Sequence, residues 1–230
     1  MAERIRFADR RDAGRRLASR LPPLPPDAVL LGLPRGGVLV AAEVAAVAVL
    51  PLHVLVVRKL GLPERPELAI GAIAEGGVRV LDQDAIRRFA VSPAALAAIE
   101  RRERAELDRR VARYRGDAAP PPLAGATAVI VDDGLATGAT ALAACRAARA
   151  SGAARIVVAV PVASPEGTAD LEQAADEVVA VLTPARLRSI GEWYERFPDV
   201  PDEEVLAALA GRPGRCHAGQ DAKERPCPPC

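Results

Sequence analysis

Two adjacent carboxylates, Asp132 and Asp133, end the apolar run 128–131 in the stretch VIVDDGLATGAT, residues 129–140. Gly134, Thr137, Gly138 and Thr140 follow, and then an alanine-rich segment. An apolar run that stops on charge suits a buried strand whose carboxyl end meets a ligand. A helix beginning near Gly138 would offer free N–H groups and partial positive charge, both favourable to a phosphate. Thr137 and Thr140 can add hydroxyls. The aspartates would repel that phosphate, so they suit another part of the same ligand: vicinal hydroxyls, or a metal ion bridging to one. A phosphate at one end and a diol at the other describe a ribose 5-phosphate group. An ordinary turn with an aspartate cap explains one acid and one glycine. It does not explain two acids, two threonines and a glycine in this order. Neither G-x-G-x-x-G nor Gly-Lys-Ser/Thr occurs.

Elements must hold these residues. Residues 8–21 read as an amphipathic helix with Phe7 just before it, and 22–26 (PPLPP) as a rigid connector. Residues 28–33 form a short apolar strand, PRGG (34–37) breaks it, and 38–50 read as a helix. Residues 52–60 read as one buried strand ending on Arg58 and Lys59, followed by a polar loop at 61–68. A hairpin spans 69–82 with Gly76 and Gly77 at its turn. A charged helix covers 93–115, with Leu96, Ile99, Leu107, Val111 and Tyr114 on one stripe interrupted by Glu103. Its charges read as a solvated face carrying Glu100–Arg104 and Glu106–Arg110 pairs. Strands at 127–133, 155–164 and 176–184 alternate with helices at 138–152 and 166–175. The fold class is therefore α/β: a Rossmann-like, mostly parallel five-stranded sheet with helices on both faces.

The 129–140 stretch resembles the phosphoribosyl-pyrophosphate (PRPP) motif of type I phosphoribosyltransferases. That pattern is an apolar strand, two acids, a variable pair and a Thr-Gly-x-Thr-like loop. FADRRDAGRRLASRL, LPRGGV, VVRKLGLPERPELAIGAIAEGG, VVAVPVAS and WYERFPDVPDEEV carry the resemblance over roughly residues 5–210, to a subgroup found alone or fused to a hydrolase domain. The resemblance implies that Asp132 and Asp133 contact the ribose hydroxyls, and that Ala136, Thr137, Gly138, Ala139 and Thr140 hold the 5-phosphate. It puts the pyrophosphate on Arg35, Gly36 and Gly37, with a non-proline cis peptide around Pro34 to Gly36, and on Arg58 and Lys59. Arg35, Lys59, Asp132 and Asp133 become the expected catalytic set. Residues 59–82 and 184–200 become a lid and hood, with Glu67 in the lid and Trp193 the candidate for stacking on an acceptor base. Mg²⁺ is the implied cofactor, carried by PRPP, with Asp132 and Asp133 as its candidate protein contacts. The expected activity is transfer of a 5-phosphoribosyl group from PRPP to a nitrogenous base or other small acceptor, releasing pyrophosphate. A silent PRPP or nucleotide sensor and a PRPP-directed hydrolase are the alternatives. Purine-specific members carry an aspartate just before Thr-Gly. Here Ala136 stands there, which leaves the acceptor open.

Composition sets the outer limits. Of 230 residues, 50% are hydrophobic, ample for one core, and the net charge of +1 offers no global field for nucleic acid or membrane. The charged start lacks an apolar signal region, and no run of apolar residues is long enough to span a bilayer. Cytoplasmic is the expected location, and a homodimer is left open. Residues 1–210 form the expected domain, and 211–230 a disordered tail. Cys216, His217, Cys227 and Cys230 lie in that tail; their types suit zinc, but the prolines and the lack of a surrounding fold argue against a structural site. His53 and Cys145 read as packing residues.

Overall fold

The computed structural model describes residues 6–62 and 65–211. In chain order the elements begin with α1 (Arg10–Ala18), β1 (Val29–Gly32), α2 (Gly36–Ala48) and β2 (Leu52–Val54). Then come β3 (Val57–Leu62), β4 (Arg65–Ala74), β5 (Arg79–Leu81), α3 (Gln83–Arg88) and α4 (Pro93–Arg115). The series closes with β6 (Thr127–Val131), α5 (Ala139–Ala150), β7 (Arg155–Val162), α6 (Pro165–Leu171), β8 (Glu177–Leu182) and α7 (Asp202–Ala210).

The central sheet has the order β2–β1–β6–β7–β8, all parallel. Strands such as VLLG and TAVIV lack polar alternation, so both their faces must be covered. They are. Leu30, Val129, Val131 and Val157 share one core with Val40 and Val44 of α2 and Val205 and Leu209 of α7, and Ile99 and Leu107 of α4 extend that core over β3 and β4. Leu31, Ile130, Ile156 and Val158 face Ala141, Ala144, Cys145 and Ala148 of α5 and Leu171 of α6. The expected five-stranded parallel α/β architecture is present, with its two cores on opposite faces. Among the described residues no helix is long and apolar enough to cross a membrane.

Strand order decides where a ligand can sit. The chain leaves β1 toward β2 on one side, and leaves β6 toward β7 on the other. The connections diverge, opening a crevice beyond the carboxyl ends of β1 and β6. Leu31 lies opposite Ile130 there, and the Leu33 amide donates to the Val131 carbonyl at 2.9 Å. The 33–37 and 132–138 loops therefore start side by side.

Two expectations need correction. Residues 52–60 are not one strand. β2 ends at Val54, and β3 begins at Val57 in a separate antiparallel sheet of order β3–β4–β5. Leu55 and Val56 are both buried, so hydropathy passes through the junction unbroken. The loop expected at 61–68 is mostly strand as well: β3 and β4 pair from Val57 opposite Ala74 to Leu62 opposite Arg65. Pro66 is tolerated because β5 pairs only with Gly71–Ile73 and the β3–β4 register breaks between Ala69 and Arg65, so no regular ladder runs through it. The hairpin turn at Glu75–Gly77 is where the glycines put it. Arg115, at the end of α4, ties this sheet down: its Nη2 lies 2.5 Å from the Glu75 Oε1 and 2.6 Å from the Val54 carbonyl. The Cys216, His217, Cys227 and Cys230 group and the expected tail from 212 on lie outside the described residues.

Candidate functional site

Asp132 and Asp133 stand directly after β6, at the crevice. The Asp132 Oδ1 accepts from the Asp133 amide at 2.8 Å, turning the chain sharply off the strand. Both residues are partly buried. Burial pushes the Asp132 carboxyl well above its ordinary value, and the neighbouring Asp133 charge adds to this. Burial pushes Asp133 up as well, against the pull of Arg10.

Arg10 of α1 joins the site from outside the motif. Its side chain is only 9% exposed, and its Nε lies 2.8 Å from the Asp133 Oδ2. Its Nη1 donates to the Pro198 carbonyl at 2.8 Å, and its guanidinium sits 3.7 Å from the Phe197 ring centre. Local sequence fixes it there. Asp9 caps α1 by accepting from the Asp12 amide at 3.0 Å, and Asp12 reaches back to the Ala8 amide at 3.0 Å. Tyr194 completes the clamp, its hydroxyl donating to the Asp133 carbonyl at 2.6 Å. The only hint in the sequence was an arginine at the first turn of a capped helix, remote from the motif.

The 34–37 loop leans on the same carboxylates. The Pro34–Arg35 peptide is cis and not X-Pro, within the span expected for it. α2 starts at Gly36, so the second half of the expected break, Gly36 and Gly37, already belongs to the first turn of a helix, whose leading amides have no partner four residues back within the helix. A methyl on Gly36 would fall on the Asp133 carboxylate, 2.6 Å from its Cγ and 2.8 Å from the Arg10 Nε. One on Gly37 would come within 2.6 Å of the Val131 carbonyl and 2.7 Å of the Asp132 Cα. Only glycine allows this approach. The Arg35 side chain is exposed.

Residues 132–141 and Ile190 line a cleft of about 160 Å³. Thr137 and Thr140 are exposed in it, and Gly138 caps α5 from the left-handed region at φ 71°. Ser164 anchors this loop from behind. Its hydroxyl donates to the Ala136 carbonyl at 2.5 Å and accepts from the Gly167 amide at 2.9 Å.

A second cavity, about 300 Å³, adjoins the first through Thr140. Leu33, Pro34, Val57, Arg58, Lys59 and Gly61 line one part of it, and Arg102, Glu103 and Arg110 of α4 another. Arg58 and Lys59 thus reach the site from β3, not from the end of a central strand. Pro34, not Arg35, is the 34–37 residue at its wall. The charges of α4, expected to be a solvated face, partly line the cavity. Glu106 pairs with Arg110 at 2.6 Å as expected, whereas Glu100 meets Arg79 of β5 at 2.7 Å. Among the described residues no cluster of three or more His, Cys, Asp or Glu side chains is arranged for a metal. Trp193 does not offer a face to the cleft. It is 8% exposed and packs with Phe7, Ala13, Val162 and Tyr194. From the same segment Ile190 reaches the cleft instead. The side chain of Glu67 lies outside the described residues.

A family model described as "Phosphoribosyl transferase domain" matches residues 15–185. Two Mycobacterium tuberculosis proteins, named "Putative phosphoribosyl transferase Rv0571c" and "Putative phosphoribosyl transferase MT0597", are each 53% identical over 204 residues. That match covers 88% of this chain and 46% of each relative, so the chain spans about half the length of the curated relatives it matches. The crystal structure of TT1426 from Thermus thermophilus superposes with a TM-score of 0.80 at 43% identity, covering 91% of this chain and 100% of that one. With the doubly wound sheet, the paired aspartates and the Thr-Gly-Ala-Thr loop at its switch point, this chain belongs to the phosphoribosyl transferase domain family.

Proposed function

We propose that this domain transfers a 5-phosphoribosyl group from PRPP to a small nitrogenous acceptor and releases pyrophosphate. One observation carries the reading: the aspartate–threonine cleft and the cation-lined cavity adjoin at Thr140, so one ligand with a sugar phosphate and a diphosphate could occupy both. The first-turn amides of α5, with Thr137 and Thr140, hold the 5-phosphate. Asp132 and Asp133 accept from the ribose hydroxyls. Arg58 and Lys59 receive the pyrophosphate in the cavity walled by Pro34, and Arg35, Gly36 and Gly37 reach it from the loop beyond Pro34.

Two carboxylates beside a diphosphate fit Mg²⁺ in its common manner, held mainly by substrate oxygens and water with one or two acids in reach. Bound there, the ion would neutralise charge on the departing pyrophosphate. The protein's own share is orientation and charge. It fixes the phosphate, sugar and diphosphate before reaction, and it aims cations where negative charge grows as the C1–oxygen bond breaks. Ala136 supplies no acid or base, so any proton the acceptor must lose goes to another group of the site or to solvent. Ile190 gives the cleft an aliphatic wall, where Trp193 had been the expected aromatic one.

Pyrophosphate release from PRPP, followed with and without a panel of purine, pyrimidine and pyridine bases, tests the reading. Release that requires a base supports transfer. Release without one indicates hydrolysis, and binding without release indicates a sensor.

A further inference from the structure

The arginines of α4 pose a problem that the family resemblance does not address. Glu103 is the acid that interrupts the apolar stripe of α4, and its side chain is 9% exposed. Its Oε2 takes two N–H groups of Arg58, at 2.9 and 2.6 Å, while its Oε1 takes the Arg102 Nε at 3.0 Å. One turn on, Glu106 takes two N–H groups of Arg109, at 2.8 and 2.9 Å, and one of Arg110 at 2.6 Å. Each acid therefore has a two-pronged arginine partner before Arg102 or Arg110 is counted. The two additional arginines are the ones that line the 300 Å³ cavity with Arg58 and Lys59. Four cations and one acid face a concave space. Such a space concentrates positive potential beyond what any single pair provides. Arginine forks match phosphate oxygens two at a time.

We propose that α4 forms a second cationic wall of the diphosphate site, with Arg102 and Arg110 binding the pyrophosphoryl group and Glu103 positioning Arg58 toward it. This rests on the phosphoribosyl transfer reading and adds residues on a helix far from its motifs. It also explains the buried acid. Glu103 holds two N–H groups of Arg58 on one oxygen, fixing a side chain that β3 alone would leave to swing.

Calorimetric titration with inorganic pyrophosphate and magnesium, and separately with ribose 5-phosphate, tests this on the full chain. In Arg102→Ala/Arg110→Ala, pyrophosphate affinity should fall by about ten-fold or more, and ribose 5-phosphate affinity should stay within about two-fold. The variant should fold, because Glu103 keeps Arg58 and Glu106 keeps Arg109. If it does not, Arg102→Lys/Arg110→Lys keeps the charge and should still weaken pyrophosphate measurably. Unchanged pyrophosphate affinity, or an equal loss for both ligands, would overturn the inference. A wild-type chain that binds ribose 5-phosphate but not pyrophosphate overturns it alone. One that binds neither overturns the transfer reading as well.

Discussion

The Arg10 Nε donates to the Asp133 Oδ2 across 2.8 Å, joining the first helix of the chain to the second of the paired carboxylates. The pair is shielded: 9% of the arginine side chain and 15% of the aspartate side chain are exposed. Removing one partner of such a pair leaves an uncompensated charge in poor solvent.

Arg10→Ala should therefore cost about 3 kcal/mol of stability near neutral pH. The same change made in Asp133→Asn should cost clearly less, because the stranded charge is gone. Urea unfolding of the two single variants and the double variant measures the coupling. A coupling energy near zero would show that the contact does not hold the carboxylate.

The paired acids predict a stability gain from a damaging substitution. Both carboxyls are pushed above their ordinary values, so between the unfolded and folded pKa the folded state binds more protons. Stability is then lost as pH rises through the folded pKa. Asp132→Asn removes that loss and keeps an acceptor for the Asp133 amide. Its melting midpoint should exceed wild type by roughly 2–4 °C at pH 7.5 for each kcal/mol gained. The advantage should shrink as pH falls toward 4. A variant less stable at pH 7.5, or a gain that does not vary with pH, would contradict the electrostatic account.

Gly37→Ala brings its new methyl within 2.6 Å of a strand carbonyl and 2.7 Å of the Asp132 Cα, and neither is a side chain that can step aside. We expect a loss of about 1–3 kcal/mol, read by thermal melting. Ribose 5-phosphate affinity should fall as well, since the displaced backbone carries Asp132. A variant with wild-type stability and affinity would mean that the loop does not rest on the acids as described.

Ser164→Ala removes both the cap of α6 and the tether on the Ala136 carbonyl. Stability should drop by roughly 0.5–2 kcal/mol. Ribose 5-phosphate should bind more weakly while inorganic pyrophosphate is unaffected. Equal weakening of both ligands would argue against a tether specific to the 5-phosphate loop.

Much of this architecture was legible in the chain, because a parallel sheet writes its buried strands as continuous apolar runs. The same property hid the passage between sheets. Leu55 and Val56 are as apolar as the strands on either side of them, so nothing marked where β2 ended and β3 began. The site divided in a similar way. Residues 132–140 are contiguous, and their order alone pointed to a sugar and a phosphate. Arg10 and Tyr194 lie outside the family-matched span, 123 residues before Asp133 and 61 after it, and only the fold brings them there. Trp193 drew notice as the lone tryptophan, yet the same apolar surface that made it a stacking candidate lets it pack beneath Phe7 and Tyr194. Arg102 and Arg110 sat in a charge run that looks like any solvated helix. Their difference from Arg109 lies in which way the helix faces, and the stripe broken by Glu103 was the one sign of it.

A ligand that spans the aspartate–threonine cleft and the cationic cavity must bind both through one molecule. Titration of magnesium and PRPP into the wild-type chain, alongside Asp132→Asn/Asp133→Asn, tests this most directly. Saturable binding at one site per wild-type chain is expected, competed by both ribose 5-phosphate and pyrophosphate, and lost in the double variant. No saturable binding to the wild type, or equal affinity in the double variant, would contradict it.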